Sequence, residues 1–163
     1  KKIVLSSFIK KELRKKRLKI NRKSLQDMGN KLRETKGAEI LAEMALKKMR
    51  KKNIKRAVID GIRNLAEIER LRKEERFYLI GISATPDRRF ARLVKNRSEY
   101  NNNIESWEDF VYYEIREDKG IYGKSGQQNK LCYLQAEYFI TNNSRKKDLE
   151  NKIKKVLKDI GVD

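Results

Sequence analysis

The sequence predicts an α/β domain built on a parallel sheet. Three observations carry that prediction. Short apolar runs at Ile3–Leu5, Arg56–Gly61, Phe77–Ala84 and Tyr138–Ile140 alternate with segments of helical periodicity. The run from Phe77 to Ala84 is apolar apart from Gly81 and Ser83, the pattern of a parallel strand buried on both faces. Polar residues stand where strands end, at Ser6-Ser7, Asp60-Gly61-Ile62-Arg63 and Asn142-Asn143. Ligands of open α/β sheets bind beyond the carboxyl ends of the strands.

Each element has a local reason. Ile3-Val4-Leu5 stops at Ser6-Ser7, and Phe8, Ile9 and Leu13 then repeat as one helix face, with Ser7 as the expected N-cap. A second helix is expected from Lys23 to Thr35 on Leu25, Met28 and Leu32, closed by Gly37. A third spans Ala38 to Arg50, its Leu41, Met44, Ala45 and Met49 stripe reading as core. Asn64-Leu65-Ala66-Glu67 has the form of a capped helix start before Leu65, Ile68 and Leu71. Thr85-Pro86-Asp87 is a helix start with Pro at the first helical position, before Phe90, Leu93 and Val94. Ser106 opens a helix through Phe110, Val111 and Ile115, and residues 131–134 can be helical. Ser144 is the expected cap of a last helix carrying Leu149, Ile153, Val156 and Leu157.

Composition limits the chemistry. At 163 residues the natural count is one domain. There is no histidine, which excludes His-based triads, His general bases and His metal sites. The single Cys132 cannot form an internal disulfide and reads as a buried small hydrophobe. No apolar run approaches the ~20 residues of a membrane span, so a cytoplasmic protein without a membrane partner is expected. Forty-two Lys+Arg against 23 Asp+Glu give a net charge of +19. Such a field attracts polyanions, nucleic acid or phosphorylated small molecules among them, although solvated lysine faces account for it equally.

Asp60, at the tip of a strand, can hold a metal–water shell or merely cap the following turn. Arg63 just beyond can grip a phosphate bidentately or form a surface ion pair. Arg88, Arg89, Arg92 and Arg97 cluster on and after the helix that follows Pro86, which suits phosphoryl-transfer chemistry or a solvated basic helix.

Ala57 to Asn64, Phe77 to Ala84, Thr85-Pro86 and Arg92…Arg97, in that order and spacing, resemble the nucleoside-monophosphate-kinase group of P-loop proteins. More narrowly they resemble archaeal-type predicted nucleotide kinases related to dephospho-CoA kinase and phage deoxynucleotide kinases. Residues 22–33, 126–128 and 136–143 add to the likeness, which covers nearly the whole chain. The resemblance implies a three-layer P-loop kinase-like domain, with acceptor-binding helices over about 7–50 and a small helical lid over about 97–130. It implies ATP and Mg²⁺ as cofactors, and a nucleoside monophosphate or dephospho-CoA as acceptor. Lys10, Arg22, Gln26, Arg33 and Arg63 would hold the acceptor, with Lys10 standing where the group usually has arginine. Arg92, Arg97 and Arg116 would act on the transferred phosphoryl group, Asn142 and Asn143 would lie near the donor adenine, and Asp60 would meet Mg²⁺ through water. Nothing reads G-x-x-x-x-G-K-[ST]. By the resemblance Ile3–Leu5 is the second strand, so a first strand, P-loop and helix are expected before Lys1. The protein is expected to be a monomer or homodimer; a non-catalytic nucleic-acid- or nucleotide-binding module with a kinase-like fold is the alternative reading.

Overall fold

Strand β1 (Lys2–Val4) pairs in parallel with β2 (Val58–Asp60), and β3 (Ile80–Ser83) pairs in parallel with β4 (Tyr138–Thr141). The computed structural model describes residues 1–96, 104–118 and 123–162. Within them the helices are α1 (Ser6–Lys15), α2 (Arg22–Lys36), α3 (Ile40–Lys51), α4 (Leu65–Leu71), α5 (Pro86–Lys95), α6 (Trp107–Asp118), α7 (Asn129–Leu134) and α8 (Lys146–Asp159). A 3-10 turn occupies Gly123–Ser125. The chain is mixed α/β, and the strands that the sequence predicts are all present.

The predicted single sheet is not what forms among the described residues. There are two two-stranded parallel sheets, β1–β2 and β3–β4. The reading of Phe77–Ala84 as a strand buried on both faces is therefore corrected. Gly81 is buried, but Ile82, on the opposite side of β3, is 56 % exposed. Val58 on β2 is likewise 68 % exposed.

The main core lies under β1 and β2. Ile3, Leu5, Ile9 and Leu13 from the first strand and helix meet Met28 and Leu32 of α2 and Leu41 and Ala45 of α3. Met44 and Met49 pack against this cluster, so the methionine stripe is core, as the periodicity predicts. Ala42, Leu46 and Leu71 extend it toward α4, with Ile59 and Phe77 alongside. Cys132 is buried with Ile68 and Leu79, and burial pushes its thiol up to about 12. Phe90, Trp107 and Phe110 stack edge-on and tilted where α5 meets α6.

Several helix starts differ from expectation by one local detail. Helix α1 begins at Ser6 rather than after Ser7, with Leu5 in the cap position and no side-chain cap. Asn21 caps α2: its Oδ1 accepts from the Ser24 N–H at 2.8 Å while Ser24 Oγ accepts from the Asn21 N–H at 3.0 Å. Helix α8 is capped by Asp148, whose carboxylate accepts from the Arg145 N–H, and not by Ser144. Asn64 caps α4 as predicted, accepting from the Ala66 N–H at 2.9 Å.

Candidate functional site

The carboxyl ends of β1 and β2 open into a cavity of about 350 Å³. Val4, Leu5 and Ser6 form one edge of it, and Asp60, Gly61 and Arg63 another. Helix α2 supplies Arg22, Gln26 and Arg33, Leu41 of α3 closes the floor, and Glu117 of α6 and Gln127 face them. Gly61 turns the chain out of β2 with φ +90°, a conformation that costs any residue with a Cβ. Gly61→Ala is expected to lower stability by about 1–2 kcal/mol, read by chemical denaturation. Open space surrounds the position, so a variant as stable as the wild type would show that the turn simply rearranges.

Glu117 organises the polar wall. Its Oε1 accepts from Arg22 Nε at 3.0 Å, Arg22 Nη2 at 2.7 Å and Gln26 Nε2 at 3.0 Å. Its Oε2 accepts from Arg63 Nη1 at 3.0 Å and Asn129 Nδ2 at 2.8 Å. Burial pushes this carboxyl's pKa upward. The Arg63 and Arg22 guanidiniums and the hydrogen bonds outweigh it, so the group is held below the usual carboxylate range and stays ionised.

Behind the cavity lies a second, fully buried pair. Arg33 Nε donates to Glu67 Oε1 at 2.9 Å with side-chain exposures of 1 % and 0 %. The Arg63 backbone N–H donates to Glu67 Oε2 at 2.9 Å, so this pair also anchors the loop that carries Arg63. Burial lifts the Glu67 carboxyl above its usual range even beside Arg33.

Of the residues expected from the sequence, Arg22, Gln26, Arg33, Asp60 and Arg63 all line this one cavity. Lys10, on α1, is not among its lining residues. Arg116 does not line it either; its Nη2 donates to Asp27 at 2.8 Å and ties α6 to α2. Arg92 and the two asparagines form a separate group at the carboxyl ends of β3 and β4. There Arg92 Nη2 donates to Asn142 Oδ1 at 3.2 Å, and the Thr85 N–H to Asn143 Oδ1 at 2.9 Å. Arg97 lies outside the described residues.

Sequence reasoning missed Glu117. Its partners are 95, 91 and 54 residues away, and no periodicity brings them together. Gln127 stood in the segment 126–128 that carried the resemblance, but without a role.

For Mg²⁺ the donor set is thin. Asp60 is a lone carboxylate, 49 % exposed and 2.8 Å from Lys2 Nζ, and no group of three acidic, His or Cys side chains gathers among the described residues. That fits a contact through water, since Mg²⁺ keeps several waters and leans on substrate phosphates, and does not fit direct chelation by the protein.

Fold and cavity together define an α/β protein with an arginine-lined site at the carboxyl ends of a parallel strand pair. The proteins it is similar to are archaeal UPF0200 proteins. The one from Thermococcus kodakarensis is 27 % identical over 97 % of this chain and 83 % of its own length. The one from Methanocaldococcus jannaschii is 27 % identical over 97 % of this chain and 77 % of its own. A Methanosarcina mazei relative reaches 34 % over 63 % of this chain and 57 % of its own. No protein-family model matches the chain. Among the described residues no helix is long and apolar enough to cross a membrane.

Proposed function

We propose that the cavity is the acceptor site of a phosphotransferase that uses ATP, with a nucleoside monophosphate or dephospho-CoA as acceptor. The observation that carries this reading is the convergence of Arg22, Gln26, Arg33, Asp60 and Arg63 on one cavity. They come from one helix, α2, and from the end of β2 and the loop after it, elements that are far apart along the chain. Phosphoryl transfer asks a protein mainly for positioning and cationic stabilisation, which Arg22 and Arg63 in the cavity can supply without histidine. In this reading Arg22 and Arg63 hold the acceptor's anionic group and Gln26 its neighbouring polar atoms. Asp60 would meet a magnesium ion through water, and that ion would supply charge neutralisation of the donor phosphates.

The donor phosphates need a backbone cradle and a lysine. We assign these to a strand and loop outside this sequence. The divided sheet supports that assignment, because a further parallel strand paired with β2 and β3 would join the two pairs into one sheet. Arg92, Asn142 and Asn143 then face the donor side.

The test is calorimetric titration with the common nucleoside monophosphates and dephospho-CoA, on the wild type and on Arg63→Ala. Losing a charge-assisted hydrogen bond should weaken acceptor binding about 10–100-fold. Unchanged affinity in the variant would remove Arg63 from the site.

The exposed Lys11, Arg14, Lys15, Lys16 and Arg17 of α1 and the following turn support a second reading, a salt-dependent nucleic-acid surface. The positive charge does not concentrate in the cavity, so this reading has its own place on the molecule.

A further inference from the structure

The two arginines that an acceptor's anion needs are already holding an anion. Glu117 takes Arg22 through both Nε and Nη2, and takes Arg63 through Nη1. Three arginines and two carboxylates line the cavity, a net of one positive charge, and just behind them Glu67 on Arg33 and Lys2 on Asp60 offset each other. A negatively charged ligand placed beside Glu117 would enter a site of little net charge and meet a carboxylate at close range. The donors now on Glu117 are Arg22 Nε and Nη2 and Arg63 Nη1, and the ligand gains these by exchanging with the carboxylate.

That exchange has a charge condition. Replacing one carboxylate by a singly charged group leaves the arginines with the same charge as before and gains nothing electrostatically. Replacing it by a dianion gives both guanidiniums a second charge to pair with. Phosphomonoesters approach two charges above their second pKa near 6, whereas phosphodiesters and carboxylates carry one. Gln26 and Asn129 already spend N–H donors on Glu117, so both amides are poised to pass to phosphate oxygens.

A second observation points to the rest of the ligand. Gln26 Oε1 and Gln127 Oε1 are buried acceptors with no protein donor among the described residues, and both residues line the cavity. The Gln26 orientation is fixed, because its amide nitrogen is the atom bonded to Glu117. A buried acceptor without a donor is costly, so the complementary ligand brings N–H or O–H groups.

We propose that Glu117 is the specificity-determining residue of this cavity: it holds the anion position on Arg22 and Arg63, so that a terminal phosphomonoester displaces it and a singly charged group does not. This rests on reading the cavity as an acceptor site, and it divides the two acceptors. A nucleoside monophosphate carries the required dianion together with donors on base and ribose. Dephospho-CoA has no terminal phosphomonoester: its two phosphates form one pyrophosphate bridge, with a single charge on each. Glu114 does not take over the role, since it stands 3.6 Å from Arg22 and is itself bonded to Arg89.

The experiment titrates common ribonucleoside 5′-monophosphates, their phosphate methyl esters and dephospho-CoA into the wild type and Glu117→Gln at pH 8. The wild type is expected to prefer at least one monophosphate over its methyl ester and over dephospho-CoA by about tenfold or more. In Glu117→Gln the methyl ester should bind about tenfold tighter than to the wild type, and the preference should shrink. Thermal unfolding shows whether the variant is folded, and the wild-type preference stands as a test without it. Equal wild-type affinity for monoester and methyl ester overturns the proposal, as does tighter binding of dephospho-CoA. A folded Glu117→Gln that binds every compound more weakly also overturns it, because Glu117 would then only organise the arginines; the acceptor reading survives all three results. If no compound binds either protein, the acceptor reading fails and the proposal with it.

Discussion

Arg33→Ala should lower stability by about 3–5 kcal/mol and Tm by about 10 °C, the largest loss expected from any single side chain at the site. The cost comes less from the lost pair than from what it leaves behind. Arg33 and Glu67 are 1 % and 0 % exposed, so truncation strands a carboxylate where water cannot reach it. Burial already lifts the Glu67 carboxyl with Arg33 in place, and the variant removes the largest opposing charge. A carboxyl whose folded pKa lies above its unfolded value binds more protons in the native state. Stability then falls as pH rises through the window between the two values, and is regained as pH falls through it. The deficit of Arg33→Ala against wild type should therefore shrink under mildly acidic conditions. Adding Glu67→Gln removes the stranded charge and should recover part of the loss at neutral pH. Denaturation across pH decides it. A deficit below about 1 kcal/mol at neutral pH, or one independent of pH, would mean that the pair is hydrated in solution.

The same pair explains what was legible in the sequence. Signals that live within one turn of chain were readable: Gly37 closing α2, Asn64 opening α4, and Pro86 at the first position of α5. The residues lining the cavity were nameable from a resemblance that fixed their order along the chain. Their counter-charges were not. Glu67 was read as part of a cap, yet its carboxylate reaches Arg33, 34 residues back, and the backbone of Arg63. Glu117 sits in an amphipathic helix where any acidic residue looks solvated. In a chain with 42 basic and 23 acidic residues, carboxylates are the scarcer partners, and that imbalance was the only available hint that some are held inside. The division of the sheet was illegible for a related reason. Strand sequences record that they pair, and β2 and β3 do pair on one side, but nothing local in them records that the two pairs stay separate among the described residues.

Leu32→Ala and Leu41→Ala remove the same isobutyl group from the same core cluster, and they should not cost the same. Leu32 is 5 % exposed, belongs to that cluster and does not line the cavity. Truncation there leaves a closed void, and the loss should fall in the upper part of the usual range, about 3–5 kcal/mol. Leu41 is 1 % exposed and packs in the cluster, but its other side forms the cavity floor. The space opened at residue 41 merges with a polar cavity large enough to hold water, so the cavity part of the penalty is partly relieved. About 2–3 kcal/mol is expected for Leu41→Ala, together with weaker binding of the proposed acceptor, since the lining of the cavity changes. Urea denaturation measures both, and a shift of midpoint without a change of slope shows that the native and unfolded states keep their compactness. If Leu41→Ala proves the costlier of the two, the cavity is dry and collapsed in solution. Its arginines and Glu117 would then already be locked together, and any ligand would have to open the floor before it could exchange with the carboxylate.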